Sequence, residues 1–128
     1  MSRWYLDASA AIKLLVTENE SNALAAAIMS ESPQLVACHL LETELRRSAQ
    51  RHGVDQVDAT KLLDGVDLYD VPAAWFRQAG LMPGLALRSL DAIHLSAALN
   101  LGADAMLAYD ARLTQAAAAA GLPVLSPA

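Results

Sequence analysis

A single cysteine in 128 residues excludes an intramolecular disulfide framework. That residue, Cys38, lies in an apolar setting between Ala37 and His39, where a buried thiol is expected. With three histidines and one cysteine, the chain lacks the several His or Cys ligands on which zinc sites usually draw. No apolar run reaches the roughly 18 residues that cross a bilayer, so no membrane attachment is expected. No basic patch followed by a long apolar core opens the chain, so no secretory signal is expected either. There is no basic excess: the net charge is −5, unlike a general nucleic-acid binder. Charged residues are few at 18%, but hydrophobic residues reach 55%, which excludes a disordered chain. The expectation is a cytoplasmic protein folded as one domain over residues 1–128.

What is present alternates between strand and helix. Arg3 to Leu6 reads as a strand and Ser9 to Val16 as a helix. A helix over Glu20 to Met29 precedes a strand over Gln34 to Cys38. Leu40 to His52 reads as a helix stopped by Gly53, and Val57 to Leu63 as a short helix. Leu68 to Val71 reads as a strand, and Pro72 fits the first turn of a helix through Ala79. After the loop "GLMPGLA", Ser89 is expected to cap a helix through Leu101, stopped by Gly102. Ala105 to Tyr109 reads as a strand, Ala111 to Ala119 as a helix, and Pro123 to Leu125 as a last strand. Such alternation implies crossover units and a mainly parallel sheet of four to five short strands covered on both faces. Ligands then bind beyond the carboxyl ends of the strands, where strand order reverses.

Several acids fall at informative places. Asp7 directly follows the first strand, and Asp110 directly follows "AMLAY". Each also opens a helix, so capping alone accounts for either position equally well. Asp91 is harder to explain by capping. It lies in "SLDAIHLSAALNLG", on the face shared with His94, Leu95 and Ala98, while Ser96 and Asn100 lie nearly opposite. A carboxylate on an apolar face must be paired, hydrogen-bonded or metal-bound. His94, one turn later, is expected to orient that carboxylate or pack on a strand, not to ligate metal. On "LLETELRRSAQRH", Glu44 falls between Leu40 and Leu41, whereas Glu42 falls toward solvent with Arg46. The alternative for Glu44 is an exposed acid pairing with Arg47 or Ser48. Four acids at one sheet end repel one another, and a hard divalent cation resolves that repulsion. With metal-activated water, the set suits phosphodiester hydrolysis. No serine–histidine–acid triad, phosphate-binding glycine loop or paired CxxC motif competes.

With "YLDASAAIKLL", "ETELRRSAQRH", "LRSLDAIHLSAALNLGAD" and "MLAYDARLTQAA" in this order and spacing, the chain resembles the PIN-domain ribonucleases, and within them the VapC toxins of toxin–antitoxin pairs. The resemblance implies an α/β fold, a three-layer α/β/α PIN-like domain. It implies a magnesium- or manganese-dependent endoribonuclease whose products carry 5′-phosphate and 3′-hydroxyl ends. It also implies a homodimer restrained by a VapB-type antitoxin. Carried over by position, the catalytic acids are Asp7, Glu44, Asp91 and Asp110, with Asp7, Asp91 and Asp110 on the metal. Ser9 matches a supporting small hydroxyl residue. Ala108 departs from the pattern, because members often carry threonine two residues before the last acid.

RNA needs a positive path to an acidic site. Lys13, Arg46, Arg47, Arg51 and Arg112 are the candidate RNA contacts, although solubility and ordinary ion pairs explain each as well. Two other classes compete with the nuclease. A receiver-like signalling domain would need an early acidic pair and a late lysine; Asp7 has no acidic neighbour, and no lysine follows Lys61. A catalytically inert PIN-fold binding module would have little reason to cluster four acids.

Overall fold

Residues 1–128 are described by a computed structural model. β1 (Arg3–Leu6) has its last three side chains buried. It is followed by α1 (Ala8–Leu15), α2 (Ser21–Glu31) and β2 (Gln34–Cys38). Next come α3 (Leu40–His52), α4 (Gln56–Asp64) and β3 (Asp67–Tyr69). α5 (Ala73–Gly80), α6 (Ser89–Asn100), β4 (Ala105–Leu107), α7 (Ala111–Ala119) and β5 (Val124–Leu125) complete the chain.

All four strand pairings are parallel, and the spatial order is β3-β2-β1-β4-β5. The chain steps outward from β1 to β2 to β3, then crosses back to β4 on the other side of β1. Parallel crossovers are right-handed, so reversing the direction of travel moves the connecting helices to the opposite face. α1 to α4 therefore cover one face and α5 to α7 the other, and the helices of each group pack on one another. The result is the three-layer α/β/α architecture read from the sequence. The reversal point lies between β1 and β4, the two strands that end in Asp7 and lead to Asp110.

The short strands carry no alternation because both of their faces are covered. Tyr5, Leu6, Val36, Cys38, Met106 and Leu107 are wholly buried. Leu24, Leu41 and Leu45 meet them from one side, and Leu95 and Leu113 from the other. Each such side chain contributes about 1.5–3 kcal/mol of burial. α6 is buried nearly all round: Ala92, His94, Leu95, Ser96, Ala97 and Ala98 are all inside. Its polar side faces α5, where Ser96 donates to the Trp75 carbonyl and Asn100 donates to Gln78 Oε1.

Several boundaries differ from the sequence reading. Ser89 does not cap α6; it is the first helical residue, Arg88 holds the cap position, and no side chain caps that end. Pro72 sits at the cap position of α5, one residue before the helix. β3 ends at Tyr69, short of Val71. β4 ends at Leu107, two residues before the expected Tyr109, because the chain must bend to bring Asp110 to the cap of α7. Gly53 stops α3 as expected, at φ 66°.

Candidate active site

Asp7 is held from three directions. Its backbone N–H donates to the Leu107 carbonyl at 3.0 Å, extending the β1–β4 ladder past the strand end. Its Oδ2 accepts the Ser9 N–H at 3.1 Å and the Ser9 hydroxyl at 2.6 Å. Ser9 Oγ in turn accepts the Tyr109 N–H at 2.9 Å, tying the end of β1 to the segment leading to Asp110. Asp7 thus does cap α1, but through one oxygen only. Its other oxygen, Oδ1, accepts no protein hydrogen bond and is not sealed in the core, since no fully buried side-chain polar atom lacks a partner. Capping and site chemistry are shared between the two oxygens of one carboxylate.

Asp110 repeats the arrangement. Its Oδ1 accepts the Leu113 N–H at 3.0 Å, capping α7, while the residue remains exposed. Asp91 is half-buried in the first turn of α6 and takes no part in any hydrogen bond or ion pair through its side chain. Burial raises its carboxyl pKa, and the charges of Asp7, Asp110 and Glu44 raise it further, with His94 opposing. The fields of all four predicted acids therefore overlap at Asp91. The helix dipole favours an acid at this position along α6, and the charge of His94 also favours it, but burial and the other acids outweigh the imidazole and no side chain pairs with Asp91 directly.

Glu44 reaches the same place from α3. Its Oε1 meets His94 Nε2 at 2.5 Å, with the imidazole fully enclosed and Glu44 about one-quarter exposed. The other ring nitrogen, Nδ1, lies 2.7 Å from the Tyr5 hydroxyl and 3.8 Å from Cys38 Sγ. The ring stands edge-on to Tyr5, with centroids 5.6 Å apart. Burial pushes the imidazolium toward deprotonation, but Cys38, Glu44 and Asp7 outweigh it and lift the His94 pKa to about 10. The imidazolium is thus a buried cation clamped on Glu44. The sequence suggested that His94 would orient Asp91 on its own helix or pack on a strand; it does pack on Tyr5 of β1 and Cys38 of β2, but it does not hold Asp91. Its partner is instead an acid 50 residues earlier, on the opposite layer.

A cleft of about 350 Å³ collects three of the four acids: Glu44, Asp91 and Asp110 line it together with Arg88 and Arg112, while Asp7, almost wholly buried, is not among its lining residues. A neighbouring groove of about 310 Å³ between α1 and α3 is lined by Arg47 and Arg51, and shares Glu44 and Leu90 with the cleft. An equally large cleft between α5 and α6 is lined by Phe76, Met82 and Ile93 and by no ionisable side chain, so it is not the chemical site. No group of three or more His, Cys, Asp and Glu side chains forms a ready-made metal cage.

The five basic candidates separate. Arg46 is committed to Glu42, Gln56 and Thr60. Lys13 is committed to Glu18 and Glu20 and lies 4.8 Å from the Tyr109 ring centroid. Arg47, Arg51 and Arg112 carry no carboxylate partner. Arg88, at the mouth of the acidic cleft, had no sequence signal beyond being an exposed cation ahead of a helix.

Residues 4–119 match the PIN domain family model. Ribonuclease VapC35 of Mycobacterium tuberculosis is 36% identical over 129 residues, covering 96% of both chains. Among solved structures, the fold is similar to Mycobacterium tuberculosis VapC20, a Sarcin-Ricin loop cleaving toxin. That similarity has a TM-score of 0.78 at 16% identity, covering 97% of this chain and 99% of that one. A toxin–antitoxin complex from Klebsiella pneumoniae is similar at a TM-score of 0.73 and 19% identity, covering 97% of each chain. No helix is long and apolar enough to cross a membrane.

Proposed function

Because the chain belongs to the PIN-domain family, and within it to the VapC-type ribonucleases, we propose that the cleft lined by Glu44, Asp91 and Asp110, with Asp7 acting on it from the end of β1, is where it hydrolyses RNA phosphodiesters as a toxin, with a divalent cation as cofactor. The observation that carries this reading is the electrostatics of Asp91. It is a half-buried carboxylate with no partner, repelled by three other acids that come from three other elements.

The donor set fits a hard cation. All four groups offer carboxylate oxygen and none offers sulfur, and the one nearby imidazole is already engaged by Glu44 and Tyr5. Magnesium usually keeps several waters and takes only one or two carboxylates directly, so it does not require the three-ligand group that is absent here. Asp7, Asp91 and Asp110 would hold it, directly or through water. Bound there, it would lower the pKa of a water and screen charge on the scissile phosphate. Glu44, with one oxygen fixed by His94, presents its other oxygen to orient the attacking water. Ser9 fixes the rotamer of Asp7 and so the direction of its free Oδ1.

A VapB-type antitoxin as inhibitory partner and a homodimer, both implied by the family resemblance, and a cytoplasmic location, read from the composition, complete the proposal. The receiver-like alternative has no support in the relatives found and no lysine in the cleft. The test is cleavage of total RNA with and without magnesium or manganese, with Asp91→Asn as control and fragment ends sequenced. Metal-dependent cleavage lost in the variant supports the reading; equal cleavage by both proteins removes it.

A further inference from the structure

Tyr5 is wholly buried on the central strand, where its backbone pairs with Val36 on one side and Met106 on the other. Its hydroxyl has no task in the chemistry described so far. Phenylalanine would fill nearly the same space without the cost of desolvating a polar group. Burial keeps the phenol neutral, its pKa well above the usual range. The hydroxyl is engaged on two sides: it accepts the Cys38 N–H of β2 at 3.2 Å and meets His94 Nδ1 of α6 at 2.7 Å. Cys38 Sγ, the other neighbour of Nδ1, is a weaker partner at 3.8 Å. On its far side the same ring meets Glu44 Oε1 through Nε2. One line of contacts thereby joins β2, β1, α6 and α3.

A hydroxyl can serve Nδ1 in either protonation state of the ring. Toward the imidazolium it accepts the Nδ1 proton. Toward the neutral ring it donates its own proton to Nδ1, which leaves the remaining ring proton on Nε2. In both states Nε2 carries a proton and directs it at Glu44. We propose that Tyr5 is a positioning residue for RNA cleavage: through His94 its hydroxyl fixes one oxygen of Glu44 and so aims the other at the cleft. β1 then places two of the four acids, Asp7 at its end and Glu44 through the side chain two residues earlier. The proposal rests on the nuclease reading of the cleft, in which Glu44 orients the attacking water.

The test compares Tyr5→Phe with wild type in metal-dependent RNA cleavage, with Tyr69→Phe, in β3, as control. Losing the tether should lower kcat per folded molecule about tenfold, the rate equivalent of one hydrogen bond. KM should be unchanged, and Tyr69→Phe should match wild type. In a Glu44→Gln background, where that side chain no longer accepts a proton from water, Tyr5→Phe should bring no further loss, because both act through one group. An unchanged kcat with a lower Tm, a change in KM alone, or an equal further loss in the Glu44→Gln background would leave Tyr5 a packing residue and overturn the proposal. The readout besides activity is the His94 Nε2 proton, followed by NMR of the 15N-labelled ring. It should be a slowly exchanging downfield signal in wild type that shifts or broadens in Tyr5→Phe; an unmoved signal overturns the tether. If Tyr5→Phe does not fold, 3-fluorotyrosine at every tyrosine keeps the hydroxyl, strengthens it as a donor, and should still move that signal, and no movement overturns the tether. A wild type that cleaves no RNA removes the nuclease reading, and the proton signal then decides the tether by itself.

Discussion

Replacing His94 by glutamine tests the buried clamp on Glu44. In the folded protein the imidazole pKa stands at about 10, against 6.5 for an ordinary histidine: burial lowers it, and Cys38, Glu44 and Asp7 more than reverse that. Between those two values the folded chain holds a proton that the unfolded chain has released. The resulting stabilisation is complete below about pH 6.5, declines as pH rises, and is gone above about pH 10. At about 1.4 kcal/mol per pH unit, the window is worth of order 5 kcal/mol. That is a large part of the 5–15 kcal/mol typical of a folded domain. Breaking a buried charged pair costs about 3–5 kcal/mol, so His94→Gln should lower stability by that amount near neutrality. The assay is urea unfolding of both proteins at several pH values from 6 to 10, at constant ionic strength. Wild type should lose stability steeply across the window and the variant should not, so the two curves converge at high pH. Parallel curves, with a constant gap at every pH, would mean that His94 carries no extra proton and that the clamp is a neutral hydrogen bond.

Other substitutions separate stability from activity. Asp91→Asn removes a repelled carboxylate, so it should raise the Tm by a few degrees while abolishing cleavage; a lower Tm would contradict the repulsion at that residue. Ser9→Ala breaks the Asp7–Ser9–Tyr109 bridge and should cost about 1 kcal/mol, with a loss of kcat larger than any change in RNA affinity; unaltered kcat would return Ser9 to a capping role. Gly53→Ala should destabilise by about 1 kcal/mol through strain alone, because nothing lies within 4 Å of the added carbon. Activity per folded molecule should be unchanged, and a stabilised variant would contradict the left-handed stop of α3.

The strands were legible as short apolar runs, and the two helix-opening acids because the first of these runs and "AMLAY" each end at a single Asp. A parallel sheet sends both ends to the same side, so Asp7 and Asp110 converge if their strands are neighbours, a condition that the β1–β4 pairing meets. Asp91 was legible from its face, since a carboxylate between apolar turns has few explanations. The partner of His94 was not. Helical spacing names which residues share a side of α6, but not which element lies across from it, and Glu44 arrives from the opposite layer. Ser96 and Asn100 mark a polar face that looks solvent-bound in sequence; in the fold it meets α5, which buries Ser96 and leaves Asn100 exposed. Ser89 has the chemistry of a cap but sits one position inside the helix. Arg88 was missed for a related reason: its place in the lining of the acidic cleft depends on how α6 packs, and that leaves no periodic trace.

The central claim is that Asp7, Glu44, Asp91 and Asp110 act as one site for a divalent ion. Calorimetric titration of manganese into the chelator-stripped protein tests it most directly. Wild type should show saturable binding that weakens at least tenfold in each of Asp7→Asn, Asp91→Asn and Asp110→Asn, while Glu42→Gln, on the outer side of α3, binds as wild type does. Undiminished binding in the three aspartate variants, or no binding to the wild type at millimolar manganese, would contradict the account.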